Sequence, residues 1–194
     1  LQSNRSQFSS QTKIVSIERL PRKTLADDEA VSTLTCDVPE AGRQTVRLAS
    51  RLFPKLREVA FVAQTHLHPG AAESVLKQIQ LTTETLGLNF LPLVDLPLGE
   101  LRATLAALSD KTAVVYLNYT VDEGGNDYVS AELLESLCRE SAAPFFGMSE
   151  TYMGRGVVAG VGFSLQEIGR AAAKLVSSTA STEERAVGAV APEI

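Results

Sequence analysis

Tryptophan is absent from this chain of 194 residues, and cysteine, methionine and histidine occur only twice each. Each scarcity closes off a class of protein. Two cysteines, Cys36 and Cys138, admit one disulfide at most, so the chain is not a small disulfide-stapled scaffold. Cys138 falls among Leu133, Leu134 and Leu137 on a helical stripe and reads as a small core hydrophobe, with a Cys36–Cys138 bridge the less favoured option. His66 and His68 are two apart, but no adjacent Cys or Glu group completes a tetrahedral set, so they read as exposed loop residues and no metal is expected. No apolar run approaches the roughly 20 residues that cross a bilayer. The net charge is −5, with no basic stripe interleaved with aromatics, which speaks against nucleic acid. Catalytic signatures are missing too. There is no G-x-S-x-G elbow. Gly124-Gly125 lacks the Lys-Ser/Thr ending of a phosphate loop. Asp122 and Glu123 are adjacent and would point apart in extended backbone, so they do not make an acid–base pair. Neither an enzymatic activity nor a cofactor is expected.

What the chain does have is alternation. Helical patterns run at about 43–52, 71–86, 99–108, 130–141 and 165–177. Between them lie short, continuous apolar runs at 58–63, 89–94, 112–118 and 145–146, and a strand-like run at 157–163. Strands that are apolar throughout, not alternately, are buried on both faces. Their alternation with helices of ten or more residues predicts βαβ units with right-handed crossovers, and hence an α/β, three-layer fold on a parallel sheet. Pro54 stops the first helix, Gly87 is expected to cap the C-terminus of the second, and Ser130 to cap the N-terminus of the fourth. Upstream, residues 13–20 read as a strand with Ile14, Val15 and Ile17 inward, and residues 21–40 as connector. The Ala-rich tail from Thr179 is expected to be weakly ordered.

The most specific pattern is in residues 144–169, PFFGMSETYMGRGVVAGVGFSLQEIG. It reads as a buried strand, a polar loop, a run thinned by Gly154, Gly156, Gly160 and Gly162 for close backbone approach, and a helix. Ser164 is that helix's expected N-cap, with Glu167 completing a capping box. Gly169-Arg170-Ala171-Ala172-Ala173 follows on the same helix, and residues 45–63 show a helix ending in Leu52-Phe53-Pro54, a turn and a strand. In order and spacing, over residues 30–178, these segments resemble type 1 periplasmic binding proteins. More narrowly, they are similar to the ABC-transporter substrate-binding-like sensing domains of bacterial sensor histidine kinases.

The resemblance implies a periplasmic-binding-protein-like fold, with a flavodoxin- or Rossmann-like lobe. It divides the chain into residues 1–40, a connector and remnant of a first lobe; 41–178, the ligand-binding lobe with its closing segment; and 179–194, a tail. Most of a first lobe is missing from the expected pattern, so that lobe is either truncated or reduced. The function implied is reversible binding of a small polar molecule in the periplasmic or extracytoplasmic portion of an inner-membrane protein. Its partner would be the rest of a membrane-bound signalling protein, with homodimerisation left open. Two alternatives stand beside it: the solute-binding subunit of an ABC importer, and a hydrolase-type or nucleotide-using α/β enzyme.

In a parallel sheet the C-terminal ends of all strands share one rim, and loops there converge on ligands. Three loops supply the candidates: Gln64, Thr65 and His66 after strand 58–63; Asn118, Tyr119 and Asp122 after strand 112–118; and Ser149, Glu150 and Tyr152 after strand 145–146. The resemblance places the same positions at an interlobe cleft. Amide, hydroxyl, carboxylate and aromatic groups suit hydrogen bonding and stacking against a small polar molecule.

Overall fold

Five of the apolar runs become one parallel sheet. In the computed structural model, which describes residues 14–18, 31–66, 69–178, 187–190 and 192, the strands are β3 (Glu58–Ala63), β4 (Asn89–Val94), β5 (Thr112–Tyr116), β6 (Phe145–Gly147) and β7 (Ala159–Gly160). They lie in the order β4-β3-β5-β6-β7, and every pair is parallel. Helices α1 (Val38–Leu52), α2 (Pro69–Thr85), α3 (Leu98–Ala107) and α4 (Ser130–Glu140) make the connections. Successive residues of a strand face opposite sides. Ala60, Val62, Val114, Tyr116 and Phe145 pack with Leu101, Leu105, Leu133, Leu134 and Leu137 of α3 and α4. On the other side the Phe146 ring meets Phe53, just beyond α1, edge-on at 6.0 Å. All five residues of β5 are buried, as a strand covered on both faces requires. These elements form one of two compact units, residues 38–162.

Local chemistry sets the boundaries. α1 starts at Val38, five residues before the periodicity announces it, because Pro39 sits in the first turn where a missing N–H leaves no bond unmade. α2 ends in a Schellman motif. Gly87 takes φ +70°, its N–H donates to the Glu84 carbonyl (3.0 Å), and the Leu88 N–H donates to the Thr83 carbonyl (3.1 Å). β7 shrinks to two residues of the expected 157–163 run. A Cβ on Gly160 would stand 1.9 Å from the Gly147 carbonyl oxygen, so only glycine permits β7 to pair there with β6. β4 is an edge strand, with exposed Pro92 in its middle.

The second unit takes residues 1–37 and 163–192. Its strands β1 (Ile14–Glu18), β2 (Val31–Cys36) and β8 (Val187–Val190) form a parallel sheet in the order β1-β2-β8. Helix α5 (Leu165–Ser178), grouped by the sequence with residues 41–178, contacts all three strands. Residues 187–190 of the expected tail form β8. Two expectations are corrected here. The connector contains β2, whose Ser32, Thr33, Leu34 and Cys36 are buried. Ile17, expected inward, is 52% exposed. Strand β2 escaped notice because two hydroxyl residues occupy buried positions. The Ser164 Oγ accepts from the Glu167 N–H (3.4 Å), but the Glu167 carboxylate turns to Arg170 instead of closing the capping box.

Candidate functional site

The strand order dictates where a ligand fits. From β3 the chain crosses through α2 to β4 on one side, then through α3 to β5 on the other. Two adjacent strands whose connections leave in opposite directions open a crevice at their C-terminal ends. Here those strands are β3 and β5, and residues 64–66 and 117–123 flank the crevice.

Gln64 ties the two loops together. Its backbone N–H donates to Asn118 Oδ1 (2.9 Å). Its side-chain oxygen accepts from the Thr120 N–H (2.6 Å), the Val121 N–H (3.2 Å) and the Thr120 hydroxyl (3.3 Å), and its Nε2 donates to the Val121 carbonyl. Gln64 is buried, so this side chain is a strut of the crevice and Asn118 is its counterpart. Thr65 braces the neighbouring loop. Its N–H and hydroxyl donate to the two carboxylate oxygens of Asp95 at 2.8 and 2.6 Å. Asp95 has φ +53°, a left-handed conformation unusual for a residue with a Cβ, and these two bonds hold it there.

The loop after β5 is stiffened in the same way. The Asp122 carboxylate accepts from the N–H groups of Gly124 and Asn126 (both 2.9 Å), from Asn126 Nδ2 and from the Tyr128 hydroxyl (2.9 Å). The Asn126 side chain, followed by its backbone N–H, keeps the Asp122 pKa below the usual carboxylate value. Glu123 reaches to α3 and accepts the Leu98 N–H (3.0 Å) at its positive N-terminus. Tyr119 is 2% exposed and donates its hydroxyl to the Leu96 carbonyl (3.1 Å). Burial first, and then the Glu123 and Asp122 charges, push its phenol above the ordinary value.

The loop after β6 does something else. Ser149 Oγ accepts from the Thr151 N–H and so caps a single 3-10 turn, Glu150–Tyr152. Tyr152 is buried. Its ring meets Tyr116 edge-on at 5.3 Å, and its hydroxyl donates to the Leu117 carbonyl (2.8 Å). Ser130 was expected as the N-cap of α4, but Val129 holds that place and no side chain caps it. Ser130 Oγ is instead a hub, hydrogen-bonded to the Tyr116 hydroxyl (2.9 Å), the Tyr152 hydroxyl (3.2 Å) and the Tyr119 N–H (3.2 Å).

The result is an open cleft of about 300 Å³, lined by Gln64, His66, Tyr119 and Asp122 from the expected loops. Asp95, Leu96, Pro97, Val121 and Glu123 complete it. Thr65 and Asn118 support the lining from behind through the bonds above, while Ser149, Glu150 and Tyr152 do not line it. The sequence reasoning passed over 95–97, though the rule that singled out the other loops applies equally to the end of β4. His66 is exposed at the cleft, whereas His68 lies outside the described residues. Among the described residues no group of three or more His, Cys, Asp or Glu could hold a metal ion, and no helix is long and apolar enough to cross a membrane. Cys138 carries a thiol that burial pushes up to about 11, which keeps it protonated and unreactive near neutrality.

Comparison with known proteins bears on this arrangement. Curated proteins give no significant match. Three solved structures share the fold. The first is an ABC domain from Streptococcus pneumoniae in complex with L-Trp (TM-score 0.60, 16% identity), which the chain matches over 82% of its own length and 54% of the other's. The second is a conserved domain protein from Vibrio cholerae (0.54, 18%; 84% and 55%). The third is a periplasmic binding protein/LacI transcriptional regulator from Alkaliphilus metalliredigens, complexed with D-xylulofuranose (0.51, 11%; 93% and 75%). The chain thus spans little more than half of the first two. Residues 9–182 match the family described as ABC transporter substrate binding protein, a range that takes in the five-stranded sheet, strands β1 and β2, and the crevice between β3 and β5. With that match and a periplasmic-binding-protein-like fold together, the chain belongs to the ABC transporter substrate binding protein family.

Proposed function

We propose that the cleft at the ends of β3 and β5 binds a small polar molecule reversibly, without chemistry, and that the chain serves as the solute-binding part of an ABC importer outside the cytoplasm. The observation that carries this reading is the rigid polar crevice at the switch point. Its loops are held by internal hydrogen bonds before any ligand arrives, which lowers the ordering cost of binding. Family membership supports the importer role over an enzymatic one. Asp122 and Glu123 supply acceptors at the cleft, and the second carboxylate oxygen of Glu123 makes no hydrogen bond among the described residues. The site therefore favours ligands rich in hydroxyl or ammonium donors. Amino acids and sugars are the first classes to try, since the fold neighbours above hold one of each.

The motifs of residues 144–169 support a second reading, a sensing region joined to a membrane-bound histidine kinase. The parent gene discriminates: a kinase sensor is followed by a membrane span and catalytic domains. Binding itself is tested by thermal shift with panels of amino acids, pentoses and hexoses. A ligand that raises Tm for wild type should lose that effect in the double variant His66→Ala/Glu123→Gln and keep it in Glu150→Gln, which lies off the cleft. Equal protection of wild type and double variant would refute the site.

A further inference from the structure

The opposite end of the same sheet carries a second cleft, of about 660 Å³, where the chain enters β3, β4 and β5. Three entering loops build it, and each contributes to its wall: Lys55 and Arg57 before β3, Gly87 and Asn89 at β4, Lys111 before β5. Backbone bonds lock the three loops. The N–H groups of Arg57 and Glu58 donate to the Lys111 carbonyl (2.8 and 3.3 Å), and the Asn89 N–H donates to the Arg57 carbonyl (2.9 Å).

Four of the other seven cations in this unit are paired, whereas Arg47, Arg51 and Lys77 form no ion pair among the described residues; what sets the cleft apart is that three such cations share one concave surface. Arg43, Arg102, Arg139 and Arg155 each hold a carboxylate. Lys55, Arg57 and Lys111 are exposed and hold none among the described residues. The nearest acids in sequence do not line the cleft: Glu58 is half-buried and takes the Thr112 hydroxyl (3.1 Å), and Asp110 precedes Lys111. In a chain of net charge −5, three unpaired cations on one concave surface form a local field of opposite sign.

We propose that this basic end of the sheet docks an acidic peptide segment of a protein partner. A small anion would need buried, convergent donors, and these cations are exposed and come from separate loops. Carboxylates spaced along an extended peptide match that layout. The location also separates the two tasks, because a partner held at the strand N-termini leaves the ligand cleft at the C-termini clear.

The test is fluorescence anisotropy with a labelled octapeptide of alternating Glu and Ser, beside its Gln counterpart. The Glu peptide should bind wild type at about 0.02 M salt and release near 0.5 M, where the screening length falls severalfold. The Gln peptide should not bind. Lys55→Glu/Lys111→Glu should weaken binding by about tenfold or more, and the milder Lys55→Gln/Lys111→Gln by severalfold. Lys77→Glu/Lys174→Glu, with the same change in net charge elsewhere, should leave it unchanged. Equal binding by both charge-reversal doubles, equal binding of Glu and Gln peptides, no binding at low salt, or tighter binding of a DNA duplex than of the peptide would each overturn the proposal.

Discussion

Gln64→Leu nearly preserves the volume of a buried side chain and removes every hydrogen bond that side chain makes. The Thr120 N–H, the Val121 N–H and the Val121 carbonyl all lose a partner. A buried backbone group left unpaired costs about 1–3 kcal/mol. Thr120 and Val121 are half-buried, so water recovers part of this loss; with about two of the three groups left unpaired, the expected cost is about 2–6 kcal/mol. Gln64→Ala leaves room for water to replace the lost amide, and its cost should be smaller, about 1–3 kcal/mol. The order is the useful part. A core side chain that acts by filling space is hurt more by alanine than by leucine, and Gln64 should show the reverse. Urea denaturation at constant m-value gives the two differences, and hydrogen exchange at the Thr120 and Val121 amides locates them. A leucine variant within about 0.5 kcal/mol of wild type, or an alanine variant less stable than the leucine one, refutes Gln64 as the strut of the crevice.

Leu134 is fully buried in α4, and Leu134→Ala should cost about 2–5 kcal/mol by chemical denaturation. Gly160→Ala drives a methyl into the Gly147 carbonyl and should cost more than about 2 kcal/mol, with loss of amide protection at the β6–β7 pairing. The Asp122 pKa is depressed in the folded state, so its support of residues 122–126 is complete above the ordinary carboxylate value and is lost as pH falls through the lower, folded one. The Gly124 and Asn126 amide resonances should therefore hold their positions at about pH 5 and move only in stronger acid, and Asp122→Asn should abolish the transition.

The five-stranded sheet was legible because its strands are buried on both faces, and continuous apolar runs such as Val59–Ala63 leave no other reading. β2 was not legible. Ser32 and Thr33 are buried in it, and hydroxyl residues carry no apolar periodicity to find. Of the site, the rim loops could be placed from topology alone, since strand ends and switch points follow from connection order. Which side chains face the cleft could not. Tyr152 looked like an aromatic platform, yet its hydroxyl is consumed by Leu117 and Ser130 and its ring by Tyr116. Asp95 drew no notice in the sequence, yet Thr65 fixes it at the cleft wall. In both cases the deciding partner lies tens of residues away, beyond the reach of local pattern.

Pro92 has a consequence of another kind. The outer margin of an open sheet is a template on which a foreign strand can add itself, and runaway addition ends in fibres. At position 92 that margin offers a ring carbon in place of an N–H, so an incoming strand meets a gap in the ladder at the middle of β4. It follows that self-association through this sheet edge is disfavoured by construction, and that Pro92→Val should raise the rate of aggregation well before it changes the cleft at the far ends of β3 and β5.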